Sequence, residues 1–120
     1  MEMKPVAEGE RIVVNIYEAE FEPLVTDRGE HDGSVLQLDR SKPLGTGFNV
    51  YKMEPGYTTI PHEHRGNEEF LIISGDLTDN DGTVYRPGDL VWLKAGTQHC
   101  SYTENGCIIA EYIETGEASL

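Results

Sequence analysis

Every apolar run in this 120-residue sequence is short and is stopped by a turn signal. Pro55-Gly56, Asp79-Asn80-Asp81-Gly82, Pro87-Gly88, Ala95-Gly96 and Asn105-Gly106 cut the chain at intervals far too close for long helices. Such punctuation suits short strands joined by tight turns. No segment carries a long 3.6-residue apolar period, so the chain reads as all-β, with about eight to ten strands in a sandwich or barrel. The expected strands are Arg11–Tyr17, Ser34–Asp39, Gly45–Met53, Tyr57–Ile60, Glu68–Ser74, Leu90–Leu93, and a last hairpin of His99–Thr103 with Cys107–Ile113. The unbroken apolar stretches in Glu68–Ser74 and Leu90–Leu93 predict strands covered on both faces. Residues 18–32, which hold Pro23 and Gly29, read as irregular with room for a short helix, and residues 1–10 and 115–120 as loose ends.

The length fits one domain, residues 1–120, with a barrel core over about 33–113. Acidic side chains outnumber basic ones 22 to 9, for a formal charge of −13. A nucleic-acid or anionic-lipid partner needs the opposite sign, so neither is expected. No stretch approaches the roughly 20 apolar residues that span a bilayer, and residues 1–10 lack a signal-peptide pattern. The expected location is the cytoplasm, where Cys100 and Cys107 stay reduced as small hydrophobes.

The chain has four histidines, and two of them form His62-Glu63-His64. On a strand, residues i and i+2 share a face about 6.6 Å apart, a gap over which two imidazoles can converge on one ion. Glu63 then faces away. The bend Arg65-Gly66-Asn67 lets the chain double back and offer Glu68 to the same point. His99 follows a second turn, and in a closed barrel two non-adjacent strands can face one interior. The set is three neutral imidazoles and one carboxylate, suited to a divalent transition ion with open positions. His31, among Glu30, Asp32 and Gly33, reads as a solvated loop residue.

The spacing Gly56-x5-His62-x-His64-x3-Glu68-x6-Gly75 matches the first cupin motif at each defined position. Gly88, Gly96 and His99 fit the second motif, while Lys94 stands where proline is usual and Thr103 where asparagine is usual. Over residues 45–113 the chain resembles the cupin superfamily, the RmlC-like jelly rolls. His62-x-His64-Arg65-Gly66-Asn67-Glu68-Glu69-Phe70-Leu71, Tyr85-Arg86-Pro87-Gly88 and Gly106-Cys107 make it similar to the subgroup of the ChrR anti-sigma cupin domain and the acetylacetone-cleaving dioxygenases. The resemblance implies a double-stranded β-helix with His62, His64, Glu68 and His99 as ligands of one metal. Fe(II) is favoured, with Zn, Ni, Mn or Cu as alternatives.

That resemblance implies a metal-dependent dioxygenase acting on a small diketone or hydroxyketone. The competing readings are a non-catalytic metal-binding sensor like the ChrR cupin domain, and a cupin isomerase. Tyr51, Tyr57, Trp92, Tyr102 and Tyr112 are candidate walls of a substrate pocket. Ile12–Ile16, apolar on both faces, suits pairing with a second copy, so a homodimer is expected.

Overall fold

A computed structural model describes all 120 residues. Its strands are β1 (Glu22–Val25), β2 (His31–Leu36), β3 (Gly47–Met53), β4 (His62–Glu63), β5 (Glu68–Gly75), β6 (Leu77–Asp79), β7 (Val84–Tyr85), β8 (Leu90–Leu93), β9 (Gln98–His99), β10 (Ser101–Tyr102), β11 (Cys107–Ile113) and β12 (Ala118–Ser119), with no helix. A six-stranded sheet of order β1-β2-β3-β11-β5-β8 forms one layer. Two short three-stranded sheets, β10-β6-β7 and β12-β4-β9, form the other. All named pairings are antiparallel. This is a jelly roll, a sheet rolled on itself around one apolar filling.

Alternation builds that filling. Tyr51 and Met53 from β3, Phe70 and Ile72 from β5, and Cys107 and Ile109 from β11 point inward, and Val35 and Leu77 complete the cluster. Burial pushes the Cys107 thiol up to about 12, as expected of a core hydrophobe, and both cysteines are unpaired. Gly75 has φ of +89°, and a Cβ there would strike the carbonyl of Gly106. The motif glycine is thus required where β5 passes β11 at a register shift.

Several expectations are corrected. Arg11–Tyr17 forms no strand: Ile12, Val13 and Val14 are exposed, and β composition makes no strand without an edge to pair with. The region read as irregular holds β1, and Pro23 sits there because β1 is the edge strand, where a missing N–H costs no ladder bond. Tyr57–Ile60 contributes only a bridge from Thr58 to Tyr102. β10 and β11 do not form a hairpin: β10 pairs with β6, whereas β11 lies between β3 and β5, so Asn105-Gly106 turns the chain between layers. The tail is not loose, because β12 pairs with β4.

The outer face of the large sheet is open. Leu90 is 76% and Trp92 57% exposed, with Leu71, Phe48 and Tyr112 beside them. The continuous apolar runs of β5 and β8 therefore do not mean cover on both sides.

Asp76 clamps the turn between layers by accepting the backbone N–H groups of Glu104 at 2.8 Å and Asn105 at 2.9 Å. Those bonds hold its carboxyl below the ordinary value. A depressed carboxyl stabilises the fold above its unfolded pKa, and the contribution disappears as pH falls through the folded one. Asp76→Ala is expected to cost about 1 kcal/mol near neutrality and nothing at strongly acidic pH. Urea melts of the variant at both pH values check this.

Candidate metal centre

Register brings the histidines together. His62 on β4 and His99 on β9 are direct cross-strand partners, with ring centroids 4.7 Å apart. The strands are adjacent, not separated as expected. His64 follows β4, with its ring 4.9 Å from His62 and 5.0 Å from His99. Its backbone N–H bonds Thr97 O, and Gly96 N–H bonds its carbonyl, which ties it to the turn before His99. One nitrogen from each of the three rings lies within 4.8 Å of the others. Glu63 faces outward and bonds Gln98, and His31 is exposed but opens strand β2, paired with Val25, where a loop was expected.

The nitrogens are aimed. His62 Nδ1 donates to Ile60 O at 2.7 Å, which leaves Nε2 with the free lone pair. His64 Nε2 and His99 Nε2 face each other at 2.9 Å, and Glu68 Oε1 is 3.1 Å from His64 Nε2. Asp79 Oδ2 lies 3.2 Å from His99 Nδ1, close but off the bond axis, so that buried Nδ1 keeps no well-aligned partner. Asp79 is itself fixed by Tyr85 Oη at 2.7 Å and Ser101 Oγ at 2.5 Å. Burial opposes ionisation of Asp79, but the nearby His99 imidazole and the bonds from Ser101 and Tyr85 prevail and hold its carboxyl low. Burial likewise depresses His99, and the Asp79 carboxylate outweighs it, so the imidazole is raised.

Two acids missed by the sequence reading complete the site. Glu111 lies on the inward face of β11 and is buried. Burial, then the charges of Glu68 and Glu117, push its carboxyl well above the ordinary range. The alternation Cys107, Ile109, Glu111, Ile113 carried that signal. Glu117 comes from the tail just before β12, and its oxygens lie 3.6 Å from His62 Nε2 and 3.6 Å from His64 Nδ1. His64, Glu68 and Glu117 form a second set whose ligand atoms lie within 4.8 Å of one another. No sequence spacing pointed to Glu117.

An inner cavity of about 50 Å³ adjoins the imidazoles, and an outer pocket of about 240 Å³ leads to it. Of the candidate pocket walls, Tyr51 lines the inner cavity. Tyr57 packs on the core and donates to Asp32 Oδ1 at 2.6 Å. Trp92 and Tyr112 stand on the outer sheet face and Tyr102 is exposed, so these three are not cavity walls.

The donor set fits a divalent ion. Three imidazoles and four carboxylates, those of Asp32, Glu68, Glu111 and Glu117, surround the inner cavity or its rim, and no lysine or arginine lines it. Buried acids without a cationic neighbour repel one another, and an ion of double positive charge supplies what the side chains lack. Asp79→Asn is expected to weaken metal affinity about 10–100-fold by releasing the His99 ring, as chelator competition would measure.

A β-roll with a histidine–glutamate cluster at its mouth defines a cupin. Residues 9–116 match the family described as the ChrR cupin-like domain. The chain belongs to that family.

Solved structures share the fold at low identity. The polyketide cyclase RemF from Streptomyces resistomycificus is 17% identical with a TM-score of 0.68, covering 92% of this chain and 85% of that one. An acetylacetone dioxygenase from Acinetobacter johnsonii is 13% identical with a TM-score of 0.61, covering 92% and 78%. The Rhodobacter sphaeroides complex of SigE with the anti-sigma ChrR gives 19% and 0.61, covering 81% of this chain but 49% of that one. No protein with a curated description matches.

Proposed function

We propose that this protein is a metal-dependent dioxygenase of a small diketone or hydroxyketone, with His62, His64, Glu68 and His99 holding Fe(II). The carrying observation is the inner cavity, which opens directly beside the convergent imidazole nitrogens and is walled by apolar groups such as Met53, Phe70, Leu77 and Ile109. Such walls seat a small hydrocarbon body and exclude water, while its oxygens face the histidines. A bound Fe(II) would supply carbonyl polarisation and redox chemistry toward O₂. The Ile60 carbonyl and Asp79 orient the rings of His62 and His99. Burial and the charges of Glu68 and Glu117 push the Glu111 carboxyl well above the ordinary range, on the wall of the same cavity. The fold shared with an acetylacetone dioxygenase supports this reading.

The test is O₂ uptake by Fe(II)-loaded protein over a panel of β-diketones and hydroxyketones. We expect uptake matched to substrate loss, and silence with a full equivalent of iron bound would overturn the assignment. A second reading, a metal-sensing regulatory cupin, draws support from the family itself. It predicts a stable protein partner captured from the native cell and no turnover.

We place the protein in the cytoplasm, a setting that suits its unpaired Cys100 and Cys107. No helix is long and apolar enough to cross a membrane. The molecule measures 54 × 26 × 26 Å, and its N-terminal arm exposes Ile12, Val13 and Val14. We assign that arm and the open face of Phe48, Leu71, Leu90, Trp92 and Tyr112 to a homodimer, each copy's arm covering the other's sheet. Light scattering should give twice the chain mass. Leu90→Glu with Trp92→Glu should give a monomer that still binds metal.

A further inference from the structure

We propose that Glu117 is a fifth protein ligand, so that metal binding locks the C-terminal strap, residues 114–120, across the barrel mouth; this rests on the histidine cluster holding a metal. The strap is otherwise fastened at its periphery. Ala118 and Ser119 pair with Glu63 and His62. Asp27 accepts from Ser119 Oγ at 2.6 Å, and Arg28 donates to the carbonyls of Ser119 and Leu120 at 3.3 and 3.2 Å. These groups are exposed, so their bonds compete with water. Upstream, the strap passes so close over Gly66 that a Cβ there would lie 2.9 Å from Glu114 Cβ.

Glu117 is the strap residue turned inward. Its Oε2 faces His62 Nε2, the nitrogen left free by the bond from Nδ1 to Ile60 O. It also shares a ligand-sized cluster with His64 and Glu68. With one carboxylate, a divalent ion keeps about one positive charge; with two, the first shell is neutral. Glu117 and His62, with Leu24, Asp32 and Glu111, line both the inner cavity and the outer pocket, so they are part of the partition between them.

The count of donors sets a consequence. Five protein ligands leave an octahedral ion one open position, and a ketone binding through two oxygens needs two. A substrate chelating through two oxygens would therefore displace Glu117, and the partition would open there as the strap lost its inner tether. Glu117 serves as the gate for substrates that chelate.

Co²⁺ is the probe, with chelator competition, visible absorption and hydrogen exchange of residues 114–120 as readouts. In the unaltered protein, Co²⁺ should slow exchange of the strap at least ~10-fold. Glu117→Gln should fold normally, bind Co²⁺ about 10–100-fold more weakly, change the Co²⁺ spectrum toward lower coordination number, and lose the metal-dependent protection. In Asp27→Ala, which loosens the outer clasp without touching a donor, protection of the strap should appear only with Co²⁺. An unchanged spectrum in Glu117→Gln overturns ligation even if affinity falls, since Glu117 would then only position His64. Equal strap protection with and without Co²⁺ in Asp27→Ala overturns the lock. His64→Ala separates the two levels: if it keeps full Co²⁺ affinity, the metal assignment fails, whereas loss there with no effect of Glu117→Gln sinks only the gate.

Discussion

Replacing His64 with alanine is expected to abolish metal retention while the barrel still folds. His64 is 1% exposed, and it alone belongs to both candidate ligand sets, the one with His62 and His99 and the one with Glu68 and Glu117. Its Nε2 meets His99 at 2.9 Å and Glu68 at 3.1 Å. Without that ring the histidines of β4 and β9 and the carboxylates above them no longer share a centre. The apolar cluster of Val35, Tyr51, Met53, Phe70, Ile72 and Ile109 is separate from His64 in composition, so a loss within the usual 0.5–3 kcal/mol range is expected. Elemental analysis should find no bound metal where the parent holds one equivalent, and circular dichroism should remain that of a β protein. His99→Ala should behave alike. A full equivalent retained by both variants would refute the ligand assignment.

The second large effect is on stability. The metal-free site crowds Glu68, Glu111 and Glu117 with no cationic side chain lining the inner cavity. An ion that binds only the folded chain stabilises it by about 4 kcal/mol at a thousand times Kd. For a domain of this size that is a rise of roughly 12–20 °C in Tm. The sign with pH follows from the imidazoles, which must be neutral to bind. Protons compete below about pH 6.5, and the Asp79 carboxylate raises the His99 imidazole against the effect of burial. The difference in Tm between loaded and metal-free protein should shrink through this range and be gone by about pH 4. A difference that persists there would mean that the histidines are not the ligands.

The sequence revealed the site to the extent that alternation and fixed spacing carry it. Alternate residues of an extended segment share a face, so the spacing pairs His62 with His64 and turns Glu63 outward on covalent geometry alone. The same rule, applied to β11, would have put Glu111 inside. Long-range pairing left no such mark. Nothing local says that β4 takes β9 on one side and β12 on the other, and only that pairing delivers Glu117. The exposed runs of β5 and β8 misled for a related reason: apolar continuity reports that both faces of a strand avoid water, but the partner that covers the second face can be another molecule.

The end of the chain also bears on how the protein is handled at the bench. The Leu120 N–H bonds Pro61 O, one residue from His62, and Ser119 lines the outer pocket. A peptide fused after Leu120 would start at the entrance to the site, and a polyhistidine tag placed there would bring rival imidazoles within reach of the ion. Metal content measured on such a fusion would report the tag as well as the barrel, so affinity handles for this protein belong elsewhere or must be cleaved before any metal is counted.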